Sequence, residues 1–200
     1  MNLQKSLPPV PVIDLQAQRR RLEPGLSEAL QRVLEHGRFV GGPEVEALEA
    51  ELGRRAGAHC VTCANGTDAL LLALWALEVG VGDAVVVPAF TFAATAEAVM
   101  MRGAPPLFAD VSETSFNLDP TSLERALEQA KRSGLKPRAA IAVDLFGLPA
   151  DYRALEGLCE AAGATLIADA AQSFGARQDN RPVGSLARLS ATSFYPSKPL

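Results

Sequence analysis

Leu166-Ile167-Ala168-Asp169-Ala170-Ala171-Gln172 decides the reading of the fold, together with Ser193-Phe194-Tyr195-Pro196-Ser197-Lys198 further on. The first stretch is an apolar run that ends on a carboxylate. A strand covered on both faces reads as a continuous apolar run, whereas a half-exposed strand alternates. Working outward, strands are predicted at 60–64, 84–88, 106–111, 139–146, 165–170 and 190–195. Helical patterns fall between them at 67–77, 93–102, 121–133 and 151–162. Such alternation predicts an α/β fold, with a mainly parallel sheet and helices on both faces. Asp119-Pro120-Thr121 and Asp151 supply helix-capping side chains, and Gly134 and Gly163 stand where helices stop. Ahead of the sheet, 22–35 reads as an amphipathic helix. Gly41-Gly42-Pro43-Glu44 breaks the chain before another helix at 45–56.

The 200 residues suffice for one large α/β domain or most of one. Hydrophobic residues make up 48% and charged residues 21%, with a formal net charge of −4. This balance gives no electrostatic footprint for nucleic acid. Arg19-Arg20-Arg21 is the one basic run and reads as a solvated helix face. The first six residues lack the apolar core of a signal peptide. The most apolar stretch, 84–101, is interrupted by Pro88, Thr91, Thr95 and Glu97, so no membrane span is expected and a cytoplasmic protein is. Cys60, Cys63 and Cys159 form no disulfide framework. Cys60 and Cys63, on a predicted strand, would face opposite sides, so no metal site is expected and buried cysteines are.

Ligands of such sheets gather at the carboxyl ends of strands, and the notable residues of this chain fall there. Asp169 ends an apolar run, and aspartate is rarely buried without a partner. Lys198 follows an aromatic, small-residue run. The other lysines lie in the N-terminal tail (Lys5) or beside Gly134 in a polar turn (Lys131, Lys136). Desolvation makes a lysine a better nucleophile. A lysine for a Schiff base and a carboxylate for a pyridine nitrogen are what a protein supplies to pyridoxal 5'-phosphate. Asn65-Gly66-Thr67-Asp68 opens an apolar helix, where free N–H groups and a glycine permit close approach of a phosphate. The segment is equally a plain helix cap, and it is not a P-loop. Phe92 suits stacking over a planar ring or a place in the core. Gln172 could donate to a phenolic oxygen and Ser193 to a phosphate. Each residue alone has an ordinary structural explanation. Their order at successive strand ends points to pyridoxal phosphate.

Four segments also resemble a known family. They are Cys63-Ala64-Asn65-Gly66-Thr67-Asp68-Ala69-Leu70, Pro88-Ala89-Phe90-Thr91-Phe92, the run from Asp169 to Ala176, and the run from Thr192 to Leu200. Together with His36-Gly37-Arg38-Phe39 and Gly42-Pro43-Glu44-Val45, they are similar to the DegT/DnrJ/StrS sugar aminotransferases. The resemblance runs from about Ile13 to Leu200. It implies a fold-type I pyridoxal phosphate enzyme, a homodimer with shared active sites. Lys198 would carry the cofactor, Asp169 hold its ring nitrogen and Gln172 contact its phenolic oxygen. Phe92 would stack on the ring, and Gly66, Thr67 and Ser193 would hold the phosphate. The implied substrates are glutamate and a nucleotide-linked keto sugar, and the motifs most resemble enzymes of UDP-linked 3-keto-hexuluronic acids in surface-polysaccharide synthesis.

Two features depart from the pattern. Many members carry His-Leu-Tyr-Gly where this chain has Asp144-Leu145-Phe146-Gly147. Members are also much longer. The resemblance therefore implies an N-terminal arm and helix at 1–35, then a cofactor-binding large domain at 36–200 that is incomplete at its C-terminal end and lacks the small domain. A sheet without its last strands leaves an open edge, and these residues alone are expected to be unstable or inactive. Three rivals remain. A dehydratase relative would carry histidine in place of Lys198. A regulatory protein would keep the cofactor without catalysis. A Rossmann-like nucleotide binder would need a Gly-x-Gly-x-x-Gly that follows no strand here.

Overall fold

The computed structural model describes residues 12–199. The chain divides into two compact units, the first ending at Glu46 and the second beginning at Ala47. In the first unit, α1 (Leu15–Leu22) is capped by Asp14, whose side chain accepts the Ala17 N–H at 2.9 Å. α2 (Gly25–His36) begins after Pro24. The single helix predicted at 22–35 is thus preceded by a separate one, and the break falls at a proline that cannot continue a helical hydrogen-bond ladder. Arg19, Arg20 and Arg21 fill the exposed last turn of α1, where cations complement the helix dipole. Gly37 closes α2 at φ +66°, and His36 Nε2 meets Glu44 Oε2 at 3.0 Å. α3 (Pro43–Ala56) carries the chain across the unit boundary.

The second unit continues through α4 (Gly66–Ala76), β1 (Asp83–Pro88), α5 (Ala94–Met101), β2 (Pro106–Ala109), α6 (Pro120–Arg132), β3 (Lys136–Val143), α7 (Tyr152–Ala162) and β4 (Thr165–Asp169). A two-residue hairpin of β5 (Arg177–Gln178) and β6 (Arg181–Pro182) follows, and then β7 (Leu189–Ala191). The sheet runs β2-β1-β3-β4-β7, with every pairing parallel. From β1 the chain steps outward to β2 and then back past β1 to β3. The order therefore reverses between β1 and β3, the kind of point where such sheets open a crevice at their carboxyl ends.

Alternate strand residues feed two cores. Val86, Ala140, Ala142, Leu166 and Ala168 pack with Leu123 and Leu127 of α6 and Leu155 of α7. Val85, Val87, Ile141, Val143 and Ile167 pack with Leu70 and Leu74 of α4 and Val99 of α5. The continuous apolar runs follow from this covering of both faces. Asn65, Asp119 and Asp151 cap α4, α6 and α7 with side-chain oxygens, and Gly163 stops α7 at φ +73°. Leu155 has no exposed surface. Leu155→Ala is expected to cost about 2–5 kcal/mol of stability, read as a lowered midpoint of chemical denaturation.

Three predicted strands differ, 60–64, 139–146 and 190–195; the second ends at Val143, and Leu145–Gly147 form a 3-10 turn. Residues 60–64 form no strand; the Thr62 N–H donates to Glu49 Oε1 at 2.7 Å instead of to a neighbouring strand. Cys63, expected inside, is exposed, whereas Cys159 is buried and its thiol is pushed up to about 12 by that burial. The strand predicted at 190–195 stops at Ala191. Beyond it, Ser193 Oγ accepts the Tyr195 N–H at 3.2 Å, and the Lys198 N–H bonds Tyr195 O at 2.8 Å. Lys198 therefore sits in a turn after Pro196, not at a strand end. The β5–β6 hairpin, unforeseen, turns on Asp179 and Asn180 at φ +50° and +62°, the backbone that a two-residue hairpin of this kind requires.

Candidate active site

Asp169 is the last residue of β4 and is only 7% exposed. Its Oδ1 accepts the Ala171 N–H and its Oδ2 accepts the Thr95 hydroxyl, both at 3.2 Å. Burial pushes its carboxyl above the usual range. The Ala171 N–H, the Thr95 hydroxyl and the Lys198 ammonium pull it back, and the Asp144 carboxylate opposes them. Among the described residues Asp169 forms no ion pair. A buried carboxylate held by two neutral donors is under-compensated, and a pyridinium N–H is a partner of the right charge and shape.

Two of the predicted segments connect to this strand end through hydrogen bonds. Thr95 also bonds the Phe92 carbonyl through its N–H at 3.1 Å. Phe92, which follows β1, is therefore held in the turn that touches Asp169. It is 70% exposed rather than packed in a core. The Thr192 hydroxyl donates to Ala170 O at 3.3 Å, which anchors the segment leading to Ser193 and half-buried Lys198.

Gly66 opens α4 directly against that segment. A Cβ at this position would stand 3.0 Å from Ser193 Cβ, 3.2 Å from Thr192 O and 3.3 Å from Ser193 Oγ. Only glycine leaves this space free, so the α4 N-terminus, Thr67 and the Ser193 hydroxyl border one cradle suited to a phosphate. The residues present fit pyridoxal phosphate at both ends, ring nitrogen and phosphate. Gly66→Ala crowds the cradle at a cost of about 1–3 kcal/mol. It is expected to weaken pyridoxal phosphate binding by about 10-fold or more, measured by absorbance titration.

Gln172 is half-buried, and its Oε1 accepts the Phe146 N–H at 2.9 Å. Phe146 itself is an exposed residue at φ +56°. Its ring meets Phe90 and Phe116 at centroid distances of 6.4 and 6.2 Å. These three rings line the carboxyl end of the sheet where the strand order reverses.

Sequence reasoning did not single out Thr95, and it gave Asp144 only as a departure from the family's pattern, not as a buried group. Thr95, with no exposed surface, lies within an ordinary helical pattern. Asp144 lies at the end of β3 and is wholly buried. It accepts the Ala150 N–H at 2.9 Å, the Tyr152 hydroxyl at 2.7 Å and the Ser173 hydroxyl at 2.6 Å. Burial pushes this carboxyl up as well, against those three donors. A charged residue ending the apolar run 139–143 is the signal that could have found it.

Strand order and the two cores define an α/β protein built on a parallel five-stranded sheet. Residues 22–200 match the DegT/DnrJ/EryC1/StrS aminotransferase family, and the chain belongs to it. It is 43% identical over 189 residues to the UDP-2-acetamido-2-deoxy-3-oxo-D-glucuronate aminotransferase of Pseudomonas aeruginosa, covering 94% of this chain and 51% of that protein. Among solved structures, a DegT DnrJ EryC1 StrS aminotransferase from Brucella abortus superposes with a TM-score of 0.93 at 47% identity, over 96% of this chain and 52% of that one. DesV of S. venezuelae, solved in complex with a ketimine intermediate, gives 0.89 at 39% identity, over 96% and 50%. The chain spans about half the length of the curated relatives it matches. Among the described residues no helix is long and apolar enough to cross a membrane.

Proposed function

We propose that this chain carries the cofactor half of an enzyme that moves an amino group from glutamate to a nucleotide-linked keto sugar through pyridoxal phosphate. The observation that supports the reading is Asp169, a buried carboxylate that forms no ion pair among the described residues and feels the charge of Lys198. Family membership supports the reaction class. The likeness to the P. aeruginosa enzyme supports a UDP-linked 3-keto-hexuluronic acid as acceptor, in surface-polysaccharide synthesis. A cytoplasmic homodimer with shared active sites, as in the sequence resemblance, completes the reading.

Bound pyridoxal phosphate supplies an electron sink that stabilises negative charge developing at the donor α-carbon. Asp169 accepts the ring N–H and keeps that nitrogen protonated, which maintains the sink. Lys198 holds the cofactor covalently between turnovers. With the cofactor bound, Lys198 Nζ would serve as the base and then the acid for the proton of the donor α-carbon. The α4 N-terminus, Thr67 and Ser193 bind the phosphate, Gln172 donates to the phenolic oxygen, and Phe92 covers one ring face. The keto sugar accepts the nitrogen in a second half-reaction, so the kinetics are ping-pong.

Adding glutamate alone to the cofactor-loaded enzyme that contains this chain is expected to bleach the visible absorbance and release one equivalent of 2-oxoglutarate per site. Unchanged absorbance would mean cofactor binding without catalysis and would contradict the proposal. Restoration of the absorbance by a UDP-linked 3-keto-hexuluronic acid, and not by its 3-hydroxy counterpart, checks the acceptor.

A further inference from the structure

We infer that Asp144 and Ser173 are positioning residues: they clamp the 144–147 turn to the 170–173 turn, so that the Gln172 amide can present only its NH2 group to the site. This rests on the proposed cofactor, toward whose phenolic oxygen that NH2 would donate.

Three contacts join the two turns. The Asp144 carboxylate accepts the Ser173 hydroxyl at 2.6 Å, and both residues are buried. The Phe146 N–H donates to Gln172 Oε1 at 2.9 Å. Gly147, at φ +88°, passes so close that an added Cβ would stand 3.2 Å from Gln172 O. A backbone N–H can only donate, so the amide atom facing Phe146 is the carbonyl oxygen and the NH2 turns the other way. Without that bond a Gln amide presents either end with little preference, and half of its orientations would set a carbonyl against an anionic oxygen.

The arrangement is held, not relaxed. Phe146 sits at φ +56°, ψ +18°, in the left-handed region that L side chains rarely adopt. Strain of this kind persists where surrounding contacts over-determine it, and it clusters at ligand sites. Asp144 supplies those contacts. Its Oδ1 takes the Ala150 N–H and the Tyr152 hydroxyl on the far side of the turn, and its Oδ2 takes Ser173. The Asp144 N–H also bonds Asp169 O at 3.1 Å. One buried residue thus joins the Gln172 turn, through its carboxylate, to the strand end that presents Asp169, through its backbone N–H.

The test uses Ser173→Ala, which removes one hydroxyl and leaves Asp144 two donors. Cofactor-loaded Ser173→Ala is expected to show a shifted absorbance maximum and a Kd for pyridoxal phosphate raised about 3–10-fold, the worth of one hydrogen bond. In a Gln172→Ala background the same substitution is expected to add no further spectral shift. Ser122→Ala serves as the control. Its hydroxyl accepts the Asp110 N–H at 2.8 Å and bonds none of the proposed cofactor-contacting residues. That variant should lose thermal stability with its spectrum unmoved. An unshifted Ser173→Ala spectrum, or the same shift in the Gln172→Ala background, would overturn the inference while leaving the cofactor reading intact. A parent protein that takes up no pyridoxal phosphate would overturn both.

Discussion

In the enzyme that contains this chain, Lys198→Ala is expected to lower turnover of glutamate and keto sugar by about 10⁴-fold, the upper range for losing a positioned acid–base group. The loss of the covalent anchor adds to it. Lys131 and Lys136 cannot substitute. Lys136 starts β3 and Lys131 ends α6, at the amino-terminal side of the sheet, whereas the site lies at the carboxyl ends of the strands. The variant should still bind pyridoxal phosphate, because the cradle at Gly66 and Ser193 and the carboxylate of Asp169 are untouched. Its bound cofactor should show the spectrum of the free aldehyde. Turnover within a few-fold of the parent would end the assignment of Lys198.

Asp169→Asn is expected to act in opposite directions on activity and stability. Asparagine keeps the shape and still accepts the Ala171 N–H, and the Thr95 hydroxyl can accept from its NH2. What is lost is the charge that keeps a ring nitrogen protonated. Removing one such preorganised electrostatic partner costs about 10²–10³-fold in kcat. Without cofactor, burial holds the Asp169 carboxyl above its ordinary value. A carboxyl whose value is higher folded than unfolded favours folding while protonated, and that contribution is lost as pH rises from the unfolded value through the folded one. Above the ordinary carboxylate range, at neutral pH, burial of the Asp169 carboxyl is therefore a cost that Asp169→Asn removes. The cofactor-free variant should melt higher than the parent at pH 7, by about 2–4 °C for each kcal/mol relieved. The gain should vanish at acid pH, where the parent's own carboxyl is protonated. A variant that melts lower at pH 7 would show that Asp169 is satisfied without a ligand.

These opposite effects reflect what could be seen in the chain before its structure. Asp169 was legible because an apolar run delivers it, and a carboxylate at the end of a doubly covered strand needs a partner. Gly66 and the cap at Asn65 were legible from local turn chemistry, and the helices from their spacing and caps. Thr95 was not, because its bond to Asp169 joins residues 74 apart in sequence and nothing in Ala94-Thr95-Ala96 announces it. The Asp144–Ser173 bond spans 29 positions and was hidden in the same way. Residues 60–64 have the composition of a strand but no strand beside them, and Glu49 takes the Thr62 N–H instead. The path to Lys198 reads as a longer strand than the three residues that form one. Composition continues past Ala191, but Ser193 turns its hydroxyl onto the backbone and Pro196 lacks an N–H for a ladder.

The account depends on one covalent attachment point. Pyridoxal phosphate incubated with the protein, followed by borohydride reduction, proteolysis and mass spectrometry, reads that point directly. The reduced pyridoxyl group should appear on the peptide containing Lys198, and Gly66→Ala should diminish it. Labelling spread over Lys131 and Lys136, or a Lys198 peptide recovered without the group, would contradict the proposed site.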